Sequence, residues 1–226
     1  MNNYLYVGVF IISLIFLGSI IFYEASRFNN THTEKFSFFA YFPFEINIFR
    51  RNKVSSILSP IFYGIGVSGL SFCSFLFAFA TQKYGGSVTA AYIIFALNVL
   101  VAISFLILRF IKLSNYKLHI GFASVNVALN LLIDFIYLFF FTNSHVVFLR
   151  TPNIGVEIAC FIFILALLVF IFVLLLNPSY KQWIKMVKID AETFSRPKKN
   201  YLVIIEWGCL LHYLLTIIPL SIVAFF

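Results

Sequence analysis

Six stretches of twenty or more apolar residues, broken by short polar connectors, set the pattern of this chain; they run over 4–23, 56–80, 88–111, 118–141, 154–176 and 201–226. A bilayer core about 30 Å thick is crossed by roughly 20 residues rising 1.5 Å each, so every stretch is long enough to span it as a helix. The pattern predicts an all-α, polytopic membrane protein with six transmembrane helices in a single transmembrane domain over 1–226. Tyr84-Gly85-Gly86-Ser87 reads as a tight turn that folds the second and third helices into an antiparallel hairpin. Asn177-Pro178 ends the fifth helix, and Pro219 is expected to kink the sixth and free the Leu215 carbonyl, because proline lacks the N–H that continues the ladder. The first stretch has no basic residue ahead of it and no small-residue cleavage site behind it, so it reads as a helix and not a signal peptide.

Composition strengthens the membrane reading. Of 226 residues, 62% are hydrophobic and 11% charged, against about half and about a quarter in soluble domains. The net charge of +8 would point to nucleic acid on a soluble protein, but here its distribution speaks for membrane orientation. Of the 16 Lys and Arg, all but Lys83 and Arg150 fall in the first, third and fifth connectors or the helix ends beside them. The positive-inside rule places those connectors in the cytoplasm, or its organellar equivalent, and both termini on the opposite side of a cell or organellar inner membrane.

Both long connectors carry membrane-surface chemistry. In the fifth, Tyr180, Trp183, Ile184 and Val187 share a helical face while Lys181, Lys185 and Lys188 project elsewhere, which predicts a short interfacial helix resting on anionic lipid head groups. The first combines Phe36, Phe38, Phe39, Tyr41, Phe42, Phe44 and Phe49 with Arg50 and Arg51; it reads as a segment lying on the bilayer, or as a docking surface for a protein partner. Cys73, Cys160 and Cys209 all sit in apolar stretches and read as small packing residues.

Polar groups inside the spans are costly and therefore informative. On the fourth helix His119, Asn126, Asn130, Asp134 and Tyr137 share an arc of about 100° and extend over roughly 27 Å of its length. Such a face must turn to the bundle interior or to a water-filled cavity, because lipid tails satisfy no hydrogen bonds. It reads as a path or pocket for a solute, ion or proton, or as interhelical hydrogen bonding alone; Asn98, midway along the third helix, is a candidate partner. Glu206, beside Trp207 and about one turn into the sixth helix, is expected to snorkel to water or to meet Lys198 or Lys199. His212 lies near the middle of that helix and reads as a hydrogen-bonding core residue. Glu157 is favoured by the helix dipole at the start of the fifth.

The second helix holds Gly64, Gly66, Ser68, Gly69, Ser71, Cys73 and Ser74, small residues that let neighbours approach closely. Its Gly66-Val67-Ser68-Gly69 resembles the G-x-S-G segment of rhomboid proteases, which would pair Ser68 with His212. In that family the serine belongs to the fourth helix and the chain starts in the cytoplasm, both unlike this chain, so the dyad is not expected. There is no P-loop, paired Glu-Glu, Asp-rich phosphatidyltransferase signature or histidine pair at matching depth, so no cofactor or metal is expected. Asn29-Asn30-Thr31 is a glycosylation sequon on the predicted cytoplasmic side, expected to be unused.

Three function classes follow. The first is a transporter-like or solute-binding protein built on the helix-four face. Its size is similar to that of the substrate-binding membrane subunits of energy-coupling-factor importers, though the outside termini depart from that family. The second is a non-catalytic subunit or assembly factor of a larger membrane complex. The third is a membrane-embedded lipid-modifying enzyme, which needs an acid–base cluster near the interface; Glu206 with His119 is the candidate.

Overall fold

The computed structural model describes residues 3–31, 35–43, 61–73, 87–111, 115–142, 154–178 and 200–225. Its helices are α1 (Asn3–Thr31), α2 (Ile61–Cys73), α3 (Val88–Phe110), α4 (Tyr116–Thr142), α5 (Ile154–Leu176) and α6 (Tyr201–Phe225). All except α2 are long and apolar enough to cross a membrane, so five candidate spanning helices stand among the described residues where the apolar pattern predicts six. α2 is the described part of the second apolar stretch. The predicted interfacial helix with Lys181, Lys185 and Lys188, and Arg50 and Arg51 of the first connector, lie outside the described residues.

Helical backbone satisfies its own N–H and C=O groups, the condition for crossing a solvent that offers none. α3 opens on Ser87, whose hydroxyl accepts from the Ala90 N–H at 3.3 Å, a cap that covers one of the four orphan donors of the first turn. α6 continues through Pro219 to Phe225, and the Cys160 thiol of α5 lies 3.7 Å from the Pro219 carbonyl. α1 runs past Tyr23 to Thr31, two turns further than its apolar run, because the charge it carries there is neutralised inside the bundle by another helix. The sequon lies in its last turns, where the Asn29 side chain accepts from the Phe36 N–H at 2.5 Å.

α3 packs on α4, α4 on α5 and α6, and α5 on α6, while α1 reaches α6. α2 lies between α1 and α3, brought close by its glycines. A Cβ on Gly66 would stand 3.2 Å from Leu17 of α1, one on Gly64 the same distance from Leu106 of α3, and one on Gly69 would strike the Ser13 hydroxyl. Gly64 beside Leu106 and Ser71 on the Asn98 carbonyl show α2 and α3 antiparallel, the hairpin their turn predicts. The core gathers Leu17, Val67, Leu70, Ile94, Val101, Ile133, Ile164 and Ile217. Outward faces are equally apolar; on α5 Ile154, Ile158, Ile162, Val169 and Val173 are all more than half exposed. A shell like that is stable against hydrocarbon and not against water.

Candidate functional site

Both C-terminal ends of α1 and α3 and both N-terminal ends of α4 and α6 meet at one end of the bundle, and each brings a charged or titratable side chain inward. Arg109 of α3 reaches Glu24 of α1, one guanidinium nitrogen lying 2.6 and 2.5 Å from the two carboxylate oxygens, with both side chains at most 3% exposed. The same guanidinium lies over the Tyr63 ring of α2, 4.3 Å from its centroid. Charge pairing and a π-face together make it possible to hold a guanidinium away from water. On the other side of the cluster, His119 Nε2 of α4 and Glu206 Oε1 of α6 are 2.5 Å apart. Glu206 is 5% exposed and turned into the bundle, not out to water as its neighbour Trp207 suggests.

Between the two pairs is a cavity of about 20 Å³, lined by Tyr63, Arg109, Asn126, Glu206 and Cys209, with Phe105, Leu108, Val127 and Ile205 as its apolar walls. That is space for about one water. Pro43 of the first connector completes the lining. The stretch before it folds onto the bundle. The Asn200 N–H donates to the Phe39 carbonyl at 2.7 Å, and the Trp207 indole N–H donates to the Tyr41 carbonyl at 3.0 Å. Phe42 is fully buried with its ring edge-on to His119 at 5.3 Å, and Phe38 packs on Trp207 at 4.9 Å. Phe38 and Phe39 keep outer faces exposed, so part of the aromatic surface stays available to lipid.

Deeper in the bundle, the helix-four face forms a continuous hydrogen-bonded chain. Asn126 donates to Ser104 Oγ of α3 at 2.6 Å, Asn130 donates to the Asn126 main-chain carbonyl at 2.9 Å, and Asn130 Oδ1 meets His212 Nδ1 of α6 at 2.9 Å. His212 Nε2 in turn meets Asp134 Oδ2 at 2.8 Å. Asn130, Asp134 and His212 are all fully buried. Asn98 donates to the Ile94 carbonyl of its own helix at 2.9 Å and lies beside Tyr137, and its carbonyl accepts from Ser71, whose hydroxyl is 2.6 Å from that of Tyr213. Asn126 joins the two levels, because it both lines the cavity and starts the deep chain.

The structure thus gathers Asn126, Glu206 and Cys209 around one cavity, with His119 on Glu206, and Asn130, Asp134 and His212 into one network; Tyr137 and Asn98 lie beside the second. Ser68 is exposed on the outer face of α2 while His212 is engaged by Asp134 and Asn130, so the rhomboid-like pairing is not formed. Sequence reading did not single out Glu24, Tyr63 or Arg109 as site residues. A signal for the first existed, since an acid just past an apolar run needs a buried partner if the helix continues. Tyr63, one aromatic among 12 Tyr and 31 Phe, carried none.

Together these elements define an all-helical, multi-pass integral membrane protein with acid–base groups buried at one end of its bundle. No family model, curated protein or solved structure matches the chain.

Proposed function

We propose that the chain is a membrane-embedded enzyme that carries out proton transfer on a lipid-soluble substrate at the cavity between α3, α4 and α6. The observation that carries this reading is the placement of Glu206 on the wall of a largely apolar cavity, with His119 hydrogen-bonded to it from outside the lining. A carboxylate hydrogen-bonded to an imidazole is an acid–base couple, able to take a proton from one atom of a substrate and return one to another. Arg109 and Tyr63 on the facing wall supply a fixed positive charge and a phenol, groups suited to an oxygen on which negative charge develops. Apolar walls favour a hydrocarbon skeleton carrying a single carbonyl or hydroxyl. At one-water size the cavity has to widen to take such a molecule, and Pro43 on its lining is where the first connector meets it.

A transporter-like reading draws on the helix-four face. Its members Asn126, Asn130 and Asp134 are engaged by Ser104, by one another and by His212, a packed chain that supports helix association or proton binding more than passage of a solute. Subunit status in a larger complex draws support from the exposed aromatic surface of Phe38 and Phe39.

The test is isotopic. The full chain in proteoliposomes, incubated in deuterated buffer with a total lipid extract of its expression host, is expected to place deuterium on carbon in one lipid class. E206Q and H119Q are expected to abolish that incorporation while leaving the chain folded. Equal incorporation by wild type and E206Q, or none in either, overturns the proposal.

A further inference from the structure

The deep network has a direction, and the direction determines where one proton sits. Main-chain carbonyls accept and never donate, and two of them anchor this chain. The Ser104 hydroxyl lies 2.7 Å from the Val101 carbonyl, so it donates there and its oxygen accepts from the Asn126 amide. Asn130 has one terminal atom 2.9 Å from the Asn126 main-chain carbonyl, and that atom must be its NH2; reversing the amide would set oxygen against oxygen. The other terminal atom, the oxygen, therefore faces His212 Nδ1 at 2.9 Å, and Nδ1 must carry hydrogen. Nε2 is left facing Asp134 Oδ2 at 2.8 Å. Two lone pairs cannot share that distance, so one proton lies between them.

We infer that Asp134 and His212 form a binding site for a single proton in the middle of the bundle, separate from the cavity at its end and independent of the activity proposed there. The proton has two resting places. On Oδ2 it leaves a carboxylic acid donating to a neutral imidazole; on Nε2 it leaves a carboxylate against an imidazolium. The pair has no net charge in either arrangement, which suits a site that is fully buried on both sides. Loss of the proton to water leaves a carboxylate facing an imidazole lone pair, which separates α4 from α6 at that point. Among the described residues, the titratable groups shown beside the pair are Tyr137 of α4, which interacts with Asp134, and Tyr213 of α6 next to Tyr137, and Arg109 of α3 is engaged by Glu24 at the other level. The second Asp134 oxygen, buried and without a hydrogen bond among the described residues, offers the proton a second seat on the same carboxyl group.

Asparagine at 134 reports on this directly, because its NH2 donates to Nε2 as a protonated carboxyl would but cannot release a proton. The experiment is nitrogen NMR on the full chain with labelled histidine in nanodiscs, the His212 signals being those absent from H212Q. Nδ1 is expected to carry hydrogen in wild type and in D134N alike. Nε2 is expected to shift on alkalinisation in wild type, as the proton between it and Oδ2 is lost, and in D134N to keep the shift of an acceptor at every pH. A wild-type His212 with bare Nδ1, or a wild-type Nε2 signal as indifferent to pH as that of D134N, overturns the inference. Should H212Q not fold, the wild-type and D134N difference spectrum identifies the same signals. Neither outcome bears on deuterium incorporation at Glu206.

Discussion

Removing one member of the Glu24–Arg109 pair is expected to be among the most damaging single changes in the chain. α1 lies at the edge of the bundle: Phe10, Ser13, Leu17, Glu24, Ala25 and Phe28 are buried, while Ile12, Ile15 and Phe22 face away from it. The pair fixes its far end to α3 at hydrogen-bond distance, with side chains 2% and 3% exposed. E24L takes from the buried guanidinium the carboxylate it meets, and R109L takes from the buried carboxylate its guanidinium. Each is expected to cost about 3–5 kcal/mol, the usual consequence of stranding one charge of a buried pair. The double variant E24L/R109L removes both charges and is expected to recover most of the loss, so the coupling energy in the cycle should be about 3 kcal/mol or more. Reversible unfolding of the purified chain in mixed detergent micelles measures all four proteins. Single losses below about 1 kcal/mol that simply add in the double variant would refute the reasoning, since exposed pairs behave that way.

Other predictions address buried Phe42, the glycine contact and the polar chain. In a C73A/C160A background, F42A is expected to raise the labelling rate of Cys209 by a membrane-permeant thiol reagent several-fold, whereas substitution of exposed Phe39 leaves it unchanged. Gly66→Leu places its side chain against Leu17 and is expected to destabilise the α1–α2 contact by about 1–3 kcal/mol, as overpacking does; thermal unfolding in detergent reads the loss. Ser104→Ala leaves the Asn126 amide without its acceptor and is expected to cost about 1–3 kcal/mol in the same measurement, with Ser104→Thr close to wild type.

Much of the helical layout is legible in the sequence because lipid imposes a single length scale on apolar runs. The boundaries that differ are those where charge is neutralised by a distant residue. α1 overruns its apolar stretch because Glu24 meets Arg109, 85 positions away, and no local rule anticipates such a partner. The helix-four face is visible as a periodic arc, yet periodicity gives only direction; that Asp134 would meet His212 depends on how α6 lies beside α4. Glu206 is misread for a related reason. A carboxylate beside a tryptophan near a helix start looks interfacial, yet among the described residues Asn200, Tyr41 and Phe42 fold inward at that level and Glu206 is buried. Aromatics of the first connector have the composition of a membrane-surface segment, but their main-chain carbonyls find donors on α6, which the pattern of side chains does not reveal.

Whether a lipid-soluble molecule enters the cavity beside Glu206 is tested most directly by site-specific photo-cross-linking in native membranes. A benzophenone amino acid replaces Val127, on the cavity wall, and separately Val169, 53% exposed on the outer face of α5. The Val127 probe is expected to capture one defined lipid-soluble species, with capture rising in the F42A background, while the Val169 probe captures the bulk phospholipids. Capture of the same bulk lipids at both positions, or none at Val127 in either background, would contradict the account.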